Sequence, residues 1–178
     1  MSSAALILAF VTLQRLGELV LARRNTARLR AQGAYEVGAG HYPLIVLLHA
    51  AWLAGLWYLA IWRGPATVEW LWLGVFAVLQ LLRLWVIATL GPRWTTRIIV
   101  LPGAPLVAGG PYRLVAHPNY CVVAAEILVL PLVFGLVAYG AIFAVLNALV
   151  LWWRIRVEDA ALQGSQTGDE GLNPPDSD

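Results

Sequence analysis

Lysine is absent from the 178 residues, and all twelve positive charges are arginine. Charge of either sign is scarce: charged residues make up 12% of the chain, where soluble domains carry roughly 25%. That scarcity argues against a soluble globular domain. The single cysteine, Cys121, excludes an internal disulfide. The three histidines, His41, His49 and His117, lack the paired cysteine or acidic spacing of a metal site, so no metal is expected. The amino-terminal run "MSSAALILAFVTLQRLGELVLARR" has no positive segment ahead of its apolar stretch, and its charges follow that stretch instead. It reads as a first membrane helix that stays in the protein, not as a secretory signal. No internal repeat and no soluble domain are evident.

What is present is apolar sequence. Hydrophobic residues reach 60% and mean hydropathy is +0.72. A helix needs about 20 mostly apolar residues to cross the roughly 30 Å hydrocarbon layer. Five stretches meet or approach this, at about 4–22, 42–62, 69–90, 119–134 and 136–155. The expected fold is therefore all-α and polytopic, with about five transmembrane helices. The last two form a tight hairpin turned at Pro131 and Gly135, and the fourth is short. Arginines follow span one (Arg23, Arg24, Arg28, Arg30), separate spans three and four (Arg93, Arg97, Arg113) and close span five (Arg154, Arg156), with Arg63 alone on the other side. Positive residues stay cytoplasmic, which puts the amino terminus outside and the carboxyl terminus in the cytoplasm. Trp57, Trp62, Trp70 and Trp72 would ring the outer interface, and Trp85, Trp94, Trp152 and Trp153 the inner one. The pI near 9.0 follows from these arginines and signals orientation, not nucleic-acid binding. Residues 1–162 form one membrane domain, and 163–178 read as a disordered acidic tail.

Ionisable groups inside a span cost about 2.5–3.5 kcal/mol each on insertion scales and usually face the protein interior. Here they are Arg15, Glu18, Arg83 and Glu126, with the amide of Asn147. Arg15 and Glu18 lie three apart on one helix face and can pair. Arg83, about two turns from the inner end of span three, has two readings: a snorkelling side chain or a site group. Asn147, Arg154 and Glu158 fall at i, i+7 and i+11 of span five, one stripe of a 3.6-residue helix, while Arg156 points elsewhere. Such a stripe suits a ligand with a carboxylate for the arginine and an ammonium for the glutamate. The plain alternative is an Arg154–Glu158 helix pair.

The stretch "GGPYRLVAHPNYC", Gly109–Cys121, carries more polar chemistry than a connector needs. Pro118 suits the first turn of span four, and His117 before it is biased away from helical geometry. The loop thus delivers a histidine, an amide and a phenol to a helix N-terminus, where free backbone N–H groups favour a hydroxyl or a carboxylate. Asn119 and Glu126, seven apart, share the face that opens toward span five.

At these residues a resemblance enters. "GPYRLVAHPNY", followed after one hairpin by "RIRVEDAAL", resembles the paired signature of the isoprenylcysteine carboxyl methyltransferase family, which includes related phospholipid methyltransferases and bacterial homologues. The match covers a cofactor region of about 105–162. The resemblance implies S-adenosyl-L-methionine as cofactor, bound at the cytoplasmic end of the hairpin, and a lipid-like acceptor entering from the bilayer. Tyr112, His117, Pro118, Asn119 and Tyr120 would line the cofactor pocket, and Arg154 and Glu158 would complete it from span five; Asn147 joins them as a cofactor-binding candidate through its place on their stripe. Two departures stand out. Ala116 occupies the place of the family's arginine before His-Pro, and the chain ends soon after Glu158, where prenylcysteine enzymes continue with an aromatic-rich segment. The amino half, "QRLGELVLARRNTARLRAQGAYEVGAGHY", looks like a bacterial subgroup associated with O-methylation of alkylresorcinol- or alkylpyrone-type lipids.

The expected activity is methylation of a membrane-embedded lipid-like acceptor at the bacterial inner membrane, with a phenolic or pyrone hydroxyl as methyl acceptor. Prenylcysteine carboxylates and phospholipid amines are the alternatives within the family. A small transporter or assembly factor is the alternative of another class. A phenol or enol benefits from a base, and the candidates are Glu126 and His41. Each also has a structural reading: Glu126 as partner of Arg83, and His41 as an interfacial hydrogen-bonder beside Tyr42. His49 reads as structural.

Overall fold

The computed structural model describes residues 2–62 and 67–167, without the side chains of His41, Ile61 and 163–167. Arg63 and tail residues 168–178 lie outside the described residues. Five α-helices follow one another: α1 (Ser3–Ala31), α2 (Tyr42–Trp62), α3 (Trp70–Leu90), α4 (Pro118–Val133) and α5 (Val137–Thr167). Four of them are long and apolar enough to cross a membrane. The fourth in chain order, α4, has 16 residues, about 24 Å at 1.5 Å per residue, and falls short of the hydrocarbon thickness.

Polarity is inverted relative to a soluble protein. Leu13, Leu47, Leu71 and Leu149 are each more than 60% exposed, while Arg83, Glu126, Asn147 and Arg154 are buried. Such an apolar exterior is stable only against lipid. The core runs through Leu8 and Val11 of α1, Trp52 and Leu56 of α2, Phe76 of α3, and Ile127, Leu130 and Val133 of α4. Helix α4 packs between α3 and α5.

Local chemistry fixes the ends. The Ser2 hydroxyl caps α1 by accepting from the amide of Ala5 at 3.3 Å. Gly135 turns the α4–α5 hairpin at φ 69°, while the amides of Gly135 and Leu136 return to the carbonyls of Leu132 and Pro131. This is a Schellman closure that favours glycine. Gly140 lets α5 approach α4 closely, since a Cβ there would stand 3.1 Å from the Leu128 carbonyl oxygen.

Four features differ from the sequence expectation. Helix α1 continues to Ala31, because Ala22, Asn25 and Leu29 maintain a buried face through the arginine-rich segment. Helix α5 runs to Thr167, into the segment expected to be without structure. A two-stranded antiparallel ribbon joins β1 (Tyr35–Val37) to β2 (Ile98–Val100), with Glu36 opposite Ile99. It ties the loop after α1 to the loop after α3. Asn25 strengthens that tie by donating to the carbonyls of Gly91 and Trp94 at 3.1 and 2.8 Å. Trp94 is only 2% exposed and packs inside, so it does not belong to an interfacial belt, whereas Trp85, Trp152 and Trp153 are exposed.

Candidate functional site

The Gly110–Arg113 segment folds as a short 3-10 turn, and the chain then enters α4 through Pro118 in its first turn. His117 stays outside the helix at φ −126°, as a residue before proline should. This places His117 and Tyr120 against the Arg154–Asp159 stretch of α5. Arg154 is buried; its Nε donates to the Tyr120 hydroxyl at 2.7 Å and its Nη2 to the Thr96 carbonyl at 2.9 Å. The same Tyr120 hydroxyl donates to the Glu158 carboxylate. Arg154 and Glu158 thus meet through one phenol. His117 stacks on the Tyr120 ring with centroids 5.3 Å apart, and its Nε2 lies 3.0 Å from Oδ1 of Asp159. Arg156 faces away and sits over the Trp152 ring, 4.0 Å from its centroid.

Tyr112 stands near this group. Burial pushes its phenol up to about 12, and the nearby Glu158 carboxylate adds to the effect. It therefore remains a neutral hydrogen-bond donor at physiological pH. Two amides complete the picture. Asn147 is 1% exposed, yet neither its Oδ1 nor its Nδ2 has a partner, and the Oδ1 of Asn119 is likewise buried and unpartnered. Buried polar groups are rarely left unpaired. Three orphan atoms on two adjoining helices favour a polar ligand.

A second polar assembly lies within the helices. Glu126 accepts from Gln80 at 2.7 Å, Arg15 at 2.7 Å and Arg83 at 2.9 Å. Glu18 accepts two bonds from Arg83, both at 2.6 Å, and one from Arg15 at 3.0 Å. Gln14 links Glu18 to Gln80. Two arginines and two carboxylates thus close a neutral network across α1, α3 and α4. Arg83 does not snorkel; its side chain is 7% exposed and turned inward. The pairing of Arg15 with Glu18 and the partnership of Arg83 with Glu126 are both present. Three of roughly four lone-pair sites on Glu126 are occupied, so service as a base requires it to leave this network. His49 bonds the Ile45 carbonyl of its own helix through Nδ1 at 2.8 Å. The backbone of His41 closes a 3-10 turn before α2, and its side chain lies outside the described residues.

The sequence reading missed two participants. Asp159 partners His117, and the Thr96 carbonyl receives Arg154. Their partners are 42 and 58 positions away, respectively, so neither leaves a local periodic signal. Among the described residues no cluster of histidine, cysteine and carboxylate side chains suits a metal ion.

Residues 72–164 match the model of the isoprenylcysteine carboxyl methyltransferase (ICMT) family. The chain is 40% identical over 161 residues to the uncharacterized protein YpbQ of Bacillus subtilis (strain 168), covering 89% of this chain and 95% of that protein. No solved structure matches it. The family match spans α3, α4 and most of α5, the helices that carry Arg83, Tyr120 and Arg154. The chain belongs to the isoprenylcysteine carboxyl methyltransferase family and is an integral membrane protein of that methyltransferase fold.

Proposed function

We propose that this protein is an S-adenosyl-L-methionine-dependent methyltransferase whose cofactor sits between the start of α4 and the Arg154–Glu158 stretch of α5. The observation that carries this reading is the Arg154–Tyr120–Glu158 arrangement, together with the orphaned amides of Asn119 and Asn147 on the same two helices. Arg154 suits the carboxylate of the cofactor's amino-acid portion, and Glu158 suits its ammonium. Asn119 and Asn147 supply buried amide atoms that need partners, and Tyr112 and His117 wall the entrance beside Pro118. The bound cofactor would supply an electrophilic methyl group on a sulfonium. The chain's own task is to align that group with the acceptor and exclude water, which the apolar helices around the site favour. The arginine distribution orients the site toward the cytoplasm.

The acceptor we propose is a hydroxyl on a lipid-like phenolic or pyrone ring. The amino half, Gln14–Tyr42, supports this through its likeness to enzymes of polyketide lipids. The proton of such a hydroxyl needs an acceptor group. His41 takes that role, since Glu126 is already engaged by three donors. The intramembrane charges do not favour a transport path, because each is paired with an opposite charge.

The test is incubation of the purified full chain with methyl-labelled S-adenosyl-L-methionine and defined acceptors. Labelled alkylresorcinol or alkylpyrone is the expected product. Efficient labelling of farnesylcysteine analogues, with none of the ring lipids, overturns the acceptor and leaves the methyltransferase reading intact.

A further inference from the structure

A cleft of about 500 Å³ opens between α1, α2 and the Thr96–Arg97 segment, and Arg154 is not among its lining residues. Pockets of this size hold small ligands. Its α1 wall includes Leu19, Arg23 and Arg30, at i, i+4 and i+11 on one helix face. That wall rises about 16 Å at 1.5 Å per residue and changes from apolar to basic along the way. Helix α2 repeats the gradient, with Val46 one turn deeper than Tyr42.

The basic end is organised rather than loose. Glu36, 9% exposed at its side chain, bonds both Arg30 and Arg97 from two separate chain segments. Arg97 also lies over the Tyr42 ring, 4.2 Å from its centroid, and the Tyr42 hydroxyl is 3.1 Å from that of Thr96. Arg23 has no partner among the described residues. Three guanidiniums against one carboxylate leave two positive charges in a cleft whose other lining residues are apolar or hydroxyl-bearing. Basic residues serving orientation alone need no such fixed positions.

We propose that this cleft binds a membrane lipid by its anionic phosphate headgroup, with an acyl chain along Leu19 and Val46. Guanidinium forks match phosphate oxygens, and the polarity gradient runs along the helices as a lipid's does across a leaflet. The proposal requires only the membrane setting and stands apart from the methyl-transfer reading.

Native mass spectrometry of the detergent-purified full chain tests it, with phosphatidylglycerol, phosphatidylcholine and inorganic phosphate as probes. One phosphatidylglycerol per chain should be retained, roughly tenfold or more in preference to phosphatidylcholine. Arg23→Gln and Arg97→Gln should each lower retention by about tenfold or more. Arg24→Gln and Arg28→Gln, on the same helix but outside the cleft, should leave it unchanged. Leu19→Phe should reduce retention with every charge intact, which keeps the test valid if Arg97→Gln fails to fold. Equal losses from Arg24→Gln, equal retention of the zwitterionic lipid, or full displacement by millimolar inorganic phosphate would each overturn the proposal.

Discussion

Arg154 of α5 donates to the hydroxyl of Tyr120 in the first turn of α4 at 2.7 Å, joining the second half of one helix to the start of the other. Because Tyr120 passes its own proton toward Glu158, the phenol holds a cation and an anion at a fixed spacing. A cation and an anion held in this way are what the proposed binding of an amino-acid-like ligand end would use. Preorganised sites lose less free energy on binding.

Replacement of Arg154 should therefore be costly and replacement of Arg156 should not. Arg154→Ala is expected to weaken S-adenosylhomocysteine binding about 10–100-fold, the range of a lost charge-assisted hydrogen bond. Arg156→Ala, which removes only an exposed stack on Trp152, should stay within about twofold. Equal losses in a binding titration contradict the one-face arrangement.

Asn147 offers a test in which two quantities move in opposite directions. With both amide atoms buried and unpaired, Asn147→Leu should raise the stability of the ligand-free protein by roughly 1–3 kcal/mol. It should also weaken ligand binding. Thermal unfolding with and without S-adenosylhomocysteine reads both effects. A gain in stability with unchanged affinity would remove Asn147 from the site.

The intramembrane network predicts strong coupling. Glu126→Gln leaves Arg15 and Arg83 sharing Glu18 alone, at a cost of about 3–5 kcal/mol in unfolding stability. Arg83→Met combined with Glu126→Leu should be less destabilising than either single change, because no buried charge is then stranded between them. Lost turnover with an unchanged melting temperature in Glu126→Gln would return Glu126 to the role of base.

The helices were readable because apolar runs of about 20 residues have few other uses. Helix ends were less so. Hydropathy stops at Ala22, but Arg and Leu are good helix formers, and the inward face of α1 persists through Asn25 and Leu29. The ribbon escaped notice because "YEV" and "IIV" are too short for alternation to register. At the site, the Asn147–Arg154–Glu158 stripe was legible from helical period. Tyr120 was legible from the loop motif, but not that its phenol joins Arg154 to Glu158, since it comes from another helix. Pairings such as Arg15 with Glu126, 111 positions apart, depend on packing that one sequence does not encode locally.

His117 and Asn119 provide a geometric check. In a ligand-bound structure the free Oδ1 of Asn119 should accept a hydrogen bond of about 2.7–3.2 Å, and His117 should border the ligand's sugar or amino-acid portion. Separations beyond about 8 Å, more than two hydrogen-bond lengths, would exclude both.

The most direct measurement is calorimetric titration of S-adenosylhomocysteine into the purified full chain in detergent, beside Arg154→Ala and Glu158→Ala. Saturable one-site binding, weakened about tenfold or more in both variants, is the predicted result. Absence of saturation at roughly millimolar ligand, where even a weak site of about −4 kcal/mol would begin to fill, would contradict a cofactor site between α4 and α5.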